Sequence, residues 1–237
     1  MLLYTAMISD NFSKIKQNIQ VVCRRVDRDP NDVILVGASK YADAGMIKEA
    51  VNAGLKVIGE NRVQDALEKF EVLDQEGIKV VKHLIGHLQS NKVKLAVENF
   101  DLIQSVDSLK LAHEIDKHAQ RLNKVMDILV QVNTSGEKQK FGTDKSTVFE
   151  LVKQIAGLSH IRVQGLMTMG PLVETEDREI VRQCFRQLKD ISETIRRELS
   201  IYPKIEMKYL SMGMSGDYDI ALEEGANMIR IGRVLFT

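Results

Sequence analysis

The stretch that decides the fold is VILVGASKYADAGMIKEAVNAG, residues 33–54. A β-branched, apolar run ends there at Lys40, and an amphipathic segment with apolar residues at helical spacing begins a few residues later. A buried strand followed by a crossover helix is the repeating unit of a parallel sheet. The stretch therefore predicts one β–α step, and the same pattern returns along the rest of the chain.

Short apolar runs alternate with amphipathic segments after a helical opening in which Ile15, Ile19 and Val22 keep helical spacing. Near-continuous apolar strands separated by helices favour a closed (β/α)8 TIM-type barrel of the α/β class, with an extra N-terminal helix. An open doubly wound sheet is the alternative if one strand is false. No linker composition interrupts the pattern, so we expect a single domain over residues 1–237. The predicted strands are residues 33–40, 57–61, 80–85, 102–106, 126–133, 163–169, 208–212 and 228–235.

The composition argues against several classes of partner. Lys plus Arg and Asp plus Glu both number 33, so no field of one sign points to nucleic acid or to a membrane surface. No apolar run approaches the roughly 20 residues of a spanning helix, and the N-terminus lacks the basic region of a signal peptide. Cys23 and Cys184 form no metal-binding motif, which indicates free thiols in a reducing compartment. We therefore expect a cytoplasmic protein without nucleic-acid or membrane partners.

Active sites of (β/α)8 barrels lie at the carboxyl ends of the strands, so the polar residues there are the candidates. Arg230 stands out, because a buried guanidinium costs several kcal/mol unless it is paired or hydrogen-bonded. Strand alternation places Arg230 on the same face as Met228 and Gly232, so it faces the barrel interior if Gly232 does. The alternative is an outward arginine paired with a glutamate of ALEEGA, residues 221–226. The strand-end set is Lys40, Asn61, His83, Ser105, Asn133, Thr168, Ser211 and Arg230.

A phosphate site is indicated by the loop SMGMSGD, which starts at Ser211 after the seventh predicted strand. In this architecture the loops after strands seven and eight frequently bind phosphate. Ser211 and Ser215 offer hydroxyls, Gly232 allows close backbone approach, and Arg233 adds positive charge. The alternative is an ordinary turn with Asp217 as a helix cap, and the two interpretations are compatible.

Lys40 is predicted to extend the interior stack formed by Ile34, Val36 and Ala38. Partial desolvation beside Arg230 would then free its amine for imine formation. A surface lysine at a strand end is the alternative, but a phosphate site across the barrel favours the imine. An imine-forming lysine with a phosphate site suggests a phosphate-bearing aldehyde such as pyridoxal 5'-phosphate (PLP).

Ordered motifs over nearly the whole chain resemble a known family. They are VGASK, VIGENRVQDALEKF, HLIGHLQSNKVK, IQSVDSLKLA, VNTSGEKQKFG, VQGLMTMGP and LSMGMSGDYDIALEEGANMIRIG. Together they resemble the pyridoxal phosphate homeostasis proteins (YggS/PROSC type), which are related to the N-terminal barrel of alanine racemase. The resemblance implies an aldimine between PLP and Lys40 in ASK, Asn61 in GEN beside the cofactor, and Arg230 at the pyridine nitrogen. The phosphate-binding set that it implies is Ser211, Ser215, Gly232 and Arg233.

The chain departs from the family pattern at two positions near the site. Lys82 stands where the family often has tryptophan, which changes little in the prediction. Arg233 stands where a small hydroxylated residue is usual, which leaves open whether its side chain or only its N–H meets the phosphate. The basic loop with Lys138 and Lys140 could close over the site or hand PLP on, and solubilising lysines are the alternative.

The resemblance implies PLP carriage and homeostasis without catalytic turnover. PLP catalysis usually needs a carboxylate that keeps the pyridine nitrogen protonated, whereas an arginine is only a donor. Apo PLP-dependent enzymes are the expected recipients, and the missing racemase second domain favours a monomer. The rival is an amino-acid racemase-like PLP enzyme, and a Schiff-base aldolase acting on a sugar phosphate is a third class. His83 and His87 straddle a strand end, so a metal site is not expected.

Overall fold

A computed structural model describes residues 2–137, 139–171 and 177–237 of the chain. The barrel strands in these ranges are β1 (Ile34–Ala38), β2 (Val57–Glu60), β3 (Val81–Leu84), β4 (Leu102–Val106), β5 (Met126–Asn133), β7 (Ile161–Met167), β8 (Ile205–Ser211) and β9 (Met228–Ile231). A two-residue strand, β6 (Thr143–Asp144), pairs with the end of β5 outside the barrel. The helices are α1 (Leu2–Arg25), α2 (Ala44–Asn52), α3 (Val63–Gln75), α4 (Val93–Asn99), α5 (Leu109–Arg121), α6 (Val148–Ile155), α7 (Arg178–Glu198), α8 (Tyr218–Glu223) and α9 (Arg233–Phe236).

The predicted (β/α)8 barrel with an extra N-terminal helix is confirmed. Its parallel strands follow the order β4-β3-β2-β1-β9-β8-β7-β5, and pairing of β5 with β4 closes the ring. Every one of these strands is followed by a helix within the described ranges, so their carboxyl ends share one face of the barrel. The additional helix α1 packs beside α2, α8 and α9. The common face is where a functional site is expected in this architecture.

Two separate apolar layers explain why the strands read as continuous hydrophobic runs. The barrel interior holds a small cluster that includes Val36, Leu102 and Met228. The larger cluster lies between strands and helices and takes the alternate residues, such as Ile229 and Ile231 of β9. Because successive side chains point to opposite faces, Met228 and Arg230 share one side of β9, and the structure shows that this side is the barrel interior.

The largest errors of the sequence prediction lie at strand ends. The predicted strand 228–235 is wrong beyond Ile231, because residues 233–236 turn into α9, where the Leu235 N–H donates to the Gly232 carbonyl. The predicted strand 33–40 is too long, since β1 ends at Ala38 and Lys40 lies in the following turn. In contrast, β4 and β5 have the predicted bounds. Among the described residues no helix is long and apolar enough to cross a membrane.

Candidate functional site

Arg230 lies inside the barrel with only 3 % of its surface exposed. Its Nη1 donates to Ser211 Oγ at 2.6 Å and its Nη2 to the Thr168 carbonyl at 2.7 Å. Its backbone N–H donates to the Gly213 carbonyl at 3.0 Å. These acceptors are all neutral, and burial lowers the pKa of Arg230 to about 10, while Asp217 has an opposing effect. The guanidinium is therefore satisfied by hydrogen bonds, and no carboxylate in the described part of the chain forms an ion pair with it.

The alternative in which Arg230 pairs with the helix-layer glutamates is wrong. Glu223 and Glu224 bind Arg182 of α7 at 2.6 Å and 2.8 Å, and Arg186 also binds Glu224. Glu224 is buried, so this carboxylate pair is part of the packing between α7 and α8 rather than a solvated surface. Arg230 therefore makes its hydrogen bonds inside the barrel.

A chain of hydrogen bonds extends from Arg230 across the barrel. Ser211 Oγ donates to Gln104 Oε1 at 2.6 Å, and Gln104 Nε2 lies 2.9 Å from His83 Nδ1. Burial lowers the pKa of His83 to about 4, so this imidazole is neutral at physiological pH. Since an amide nitrogen only donates, His83 Nδ1 is the acceptor of that bond. The chain joins β9, β8, β4 and β3.

Gln104 is the interior residue that sequence reasoning missed. It lies in the middle of β4 and is fully buried, whereas the sequence pointed to its neighbour Ser105. Ser105 is also fully buried, but its hydroxyl has no hydrogen-bond partner within the described residues. The available signal was a glutamine inside an apolar strand run, since a buried amide needs partners.

The loop after β8 forms a tight turn beneath Arg230. The Met214 N–H donates to Asp217 Oδ1 at 2.5 Å, and the Asp217 N–H donates back to the Met214 carbonyl at 3.1 Å. Burial raises the pKa of Asp217, and the Met214 N–H and Arg230 oppose that shift. Gly213 has a φ of +93°, and a Cβ there would lie 2.6 Å from Ala221 Cβ, so only glycine fits. Ser215 follows at the half-buried part of the turn.

The residues predicted to bind phosphate occupy different environments. Ser215 and Gly232 are half-buried, and Arg233 is exposed. Gly232 lies beside the end of β1, where a Cβ would come within 3.3 Å of the Ala38 carbonyl. Ser211, by contrast, is fully buried, and its hydroxyl already donates to Gln104 and accepts from Arg230.

Lys40 lies in the exposed turn after β1 rather than on the strand. Its Nζ is 4.7 Å from the ring centroid of Tyr41, which is 73 % exposed. The side-chain hydrogen bond from Lys40 lowers the pKa of Tyr41, and the positive charge of Arg233 adds a smaller effect in the same direction. Lys40 lines a surface groove together with Asp65 of α3. The structure therefore places the Lys40 side chain on the outer side of its turn.

The residue before Lys40 is held firmly. Ser39 is fully buried, its N–H donates to the Gly59 carbonyl at 3.0 Å, and its hydroxyl donates to Glu60 Oε1 at 2.7 Å. Lys69 of α3 donates to both the Ser39 carbonyl at 2.7 Å and Glu60 Oε1 at 2.8 Å. The backbone is thus anchored one residue before the exposed lysine.

Asn61 follows β2 and is half-buried at the same end of the barrel. Its backbone lies directly against the loop after β3, since a Cβ at Gly86 would be 2.2 Å from the Asn61 carbonyl oxygen. The absence of a side chain at Gly86 allows these two loops to touch. This contact fixes the position of Asn61 at the barrel mouth, the face of the barrel where the strands end.

The loop after β5 reaches across the mouth to the loop after β3. Phe141 stacks on His87 with 4.0 Å between ring centroids, and Gln131 Nε2 donates to the Phe141 carbonyl at 3.2 Å. Lys140 donates to the Gly170 carbonyl at 2.8 Å and lies 2.6 Å from Glu137. Lys138, the other lysine of the predicted basic loop, lies outside the described residues. A cavity of about 240 Å³ lies beneath this loop.

The described residues hold no group of three or more His, Cys, Asp or Glu side chains suited to a metal ion. His83 and His87 have different surroundings, because His83 is buried in the hydrogen-bond chain whereas His87 stacks on Phe141. The polar groups at the mouth are instead donors for an electron-rich or anionic ligand.

Known proteins resemble nearly the whole chain. Residues 11–237 match the family model described as alanine racemase, N-terminal domain. The pyridoxal phosphate homeostasis protein of Aquifex aeolicus is 41 % identical over 227 residues, which cover 96 % of each chain. PipY of Synechococcus elongatus, solved with PLP bound, is 33 % identical over 97 % of this chain and 100 % of PipY, with a TM-score of 0.83. An unknown protein from Bifidobacterium adolescentis is 32 % identical over 99 % and 96 % of the two chains, with a TM-score of 0.91.

Proposed function

Since this chain belongs to the pyridoxal phosphate homeostasis protein family, we propose that it binds PLP reversibly and serves PLP homeostasis. The site is the common face of the barrel where the strands end. Lys40, Asn61, Ser215, Arg230, Gly232 and Arg233 form the binding set, and Ser211 contributes by holding Arg230. Lys40 holds the cofactor aldehyde through a covalent imine, formed with loss of water.

The observation that carries this proposal is the buried cation of Arg230. A guanidinium held only by neutral acceptors is suited to an electron-rich ligand atom at its remaining N–H groups. A pyridine nitrogen is such an acceptor, and it requires no proton from the protein. Phosphate oxygens are suited to Arg233, Ser215 and the backbone at Gly232, which lie at the same end of the barrel. The residues present therefore fit PLP.

Lys40 has to leave Tyr41 in order to take this role. Its side chain is exposed, and the hydrogen bond and ring contact that it makes with Tyr41 are exposed as well, so turning it towards the barrel breaks no buried interaction. The anchor at Ser39 stays in place during that movement, because its hydrogen bonds involve Glu60, Gly59 and Lys69. The turn thus supports a lysine that engages and releases the aldehyde.

We propose that the protein has no committed reaction of its own. When bound, PLP supplies an electron sink whose strength depends on protonation of its pyridine nitrogen. Arg230 cannot accept a proton and remains a donor at that position. Tyr41, the tyrosine next to the lysine, is exposed on the outer side of the turn. Both features favour storage and transfer of PLP over racemisation.

The proposal includes a monomer of one domain over residues 1–237 that acts in the cytoplasm and supplies apo PLP-dependent enzymes. The buried free thiols of Cys23 and Cys184 support a reducing compartment. Size-exclusion chromatography with light scattering, with and without PLP, tests the monomer.

The central test is an absorption spectrum of the purified protein with added PLP, before and after borohydride reduction. We expect a band at about 420 nm that disappears on reduction, with the label found by mass spectrometry on the peptide that carries Lys40. Lys40→Ala removes the band, whereas Lys48→Ala, a surface lysine on α2, retains it. No band in the wild-type protein, or an equal band in Lys40→Ala, contradicts the proposal.

A second measurement separates carriage from catalysis. The PLP-loaded protein is incubated with L-alanine, and the D-isomer is quantified against the Lys40→Ala protein. We expect no D-alanine above that background. Repeated turnover would identify the racemase-like enzyme instead.

A further inference from the structure

The hydrogen-bond chain behind Arg230 has one fixed direction. Arg230 can only donate, so Ser211 Oγ accepts from it and uses its own proton for Gln104 Oε1. The Gln104 amide group then donates to His83 Nδ1. If the Gln104 amide were turned over, its nitrogen would face Ser211 and the Ser211 proton would lose its acceptor.

All four side chains are buried, which makes this direction costly to change. Gln104 and Ser211 are 0 % exposed, Arg230 is 3 % exposed and His83 is 5 % exposed. Buried polar groups are destabilising when they lose their partners, and in a connected set the loss of one member affects its neighbours. The position of the guanidinium therefore depends on residues on three other strands.

We infer that Gln104 and His83 are positioning residues that hold Arg230 in the orientation in which it donates to the bound cofactor. This inference rests on the proposed function, in which Arg230 faces the pyridine nitrogen. Gln104 Oε1 accepts the proton of the Ser211 hydroxyl and so orients it. The Ser211 oxygen then accepts the hydrogen bond from Arg230 Nη1. The Gln104 amide nitrogen lies between His83 Nδ1 and Met228 Sδ, at 2.9 Å and 3.2 Å, so the amide oxygen faces Ser211.

The hydrogen-bond chain that holds Arg230 contains no carboxylate. Every acceptor in the hydrogen bonds from Arg230 to His83 is neutral, so no carboxylate within this set offsets the charge of the arginine. A glutamate at position 104 would accept from Ser211, but it could not donate to His83 Nδ1 and would place a negative charge in the chain. The amide is thus the side chain that satisfies both neighbours.

The experiment compares Gln104→Met, Gln104→Glu and Ser105→Ala with the wild-type protein. Ser105→Ala is the matched control, because Ser105 is a buried residue of the same strand whose hydroxyl is not in the chain. Each protein is titrated with PLP, and both the dissociation constant and the position of the visible band are recorded. We expect about tenfold weaker binding and a displaced band for both Gln104 variants, and wild-type values for Ser105→Ala.

Two results would overturn the inference. One is that both Gln104 variants bind PLP with the affinity and band position of Ser105→Ala. The other needs no variant: ¹⁵N-histidine NMR of the wild-type protein must show His83 protonated on Nε2 and not on Nδ1, and the opposite tautomer contradicts the chain. This second readout decides the matter if a Gln104 variant does not fold. Failure of the proposed function itself is distinct, because the wild-type protein would then show no PLP band.

Discussion

Replacing Lys69 by methionine should destabilise the protein strongly, because it leaves a buried carboxylate without its cation. The side chain of Glu60 is 1 % exposed and that of Lys69 is 15 % exposed, with 2.8 Å between Nζ and Oε1. Removing one partner of such a pair costs about 3–5 kcal/mol, since the remaining charge is buried and uncompensated. The Ser39 carbonyl loses its 2.7 Å bond to Lys69 as well. We expect the free energy of unfolding at pH 7 to fall by about 3–4 kcal/mol.

The assay is urea denaturation followed by far-ultraviolet circular dichroism, with Glu60→Gln and the double variant measured alongside. In the double variant neither charge is buried, so it should be clearly more stable than Lys69→Met. The cycle isolates the coupling between the two side chains. A loss below about 1 kcal/mol in Lys69→Met, or a double variant no more stable than the single one, would refute the reasoning.

Three further predictions concern other parts of the fold. Gly213→Ala should lower the free energy of unfolding by about 2–3 kcal/mol, because position 213 has a positive φ and the new methyl group would meet Ala221. Gly216→Ala, with open space around it, should leave the stability almost unchanged. Thermal melting compares the two variants. The pKa of His83 is about 4 in the folded protein and about 6.5 in the unfolded chain, so the unfolded chain takes up a proton at a higher pH than the folded protein does. The free energy of unfolding therefore falls by roughly 3 kcal/mol as the pH is lowered from 6.5 to about 4. Denaturation curves across that range should show a smaller fall for His83→Gln, and an unchanged slope contradicts the assignment. Arg182→Met should lower the free energy of unfolding by about 1–2 kcal/mol, because it removes a cation from Glu224. Arg182→Lys keeps the positive charge and should recover part of that loss. A Tm for Arg182→Met equal to that of the wild-type protein contradicts the prediction.

The sequence predicts the barrel well because its strands are buried on both sides. A strand covered by helices outside and by other strands inside needs apolar residues at every position, and each such run is short and visible. The alternation along β9 correctly placed Arg230 on the same face as Met228, since strand period is independent of the rest of the fold. It left open whether that face was the barrel interior or the helix layer, which only the fold decides. The tail of the same run was misassigned, because Val234, Leu235 and Phe236 suit a helix as well as a strand.

The parts of the site that escaped prediction depend on contacts between distant residues. The turn that carries Lys40 follows from bonds between Ser39, Glu60 and Lys69, and no local pattern announces them. Gln104 bonds to residues 21 and 107 positions away, so its role becomes visible only when β3, β4 and β8 are neighbours. The strand ends predict on which face of the barrel the site lies. Only the fold shows which residues of that face are hydrogen-bonded to one another.

The stacked pair of Phe141 and His87 gives the protein a natural place for an optical reporter. The chain contains no tryptophan, so its intrinsic emission comes from tyrosine alone. Phe141 is 56 % exposed, which leaves room for an indole in place of its ring. A single indole at that position would rest on an imidazole, and its emission would change when the two rings separate. Opening of the loop above the barrel mouth could then be timed in solution without a chemical label.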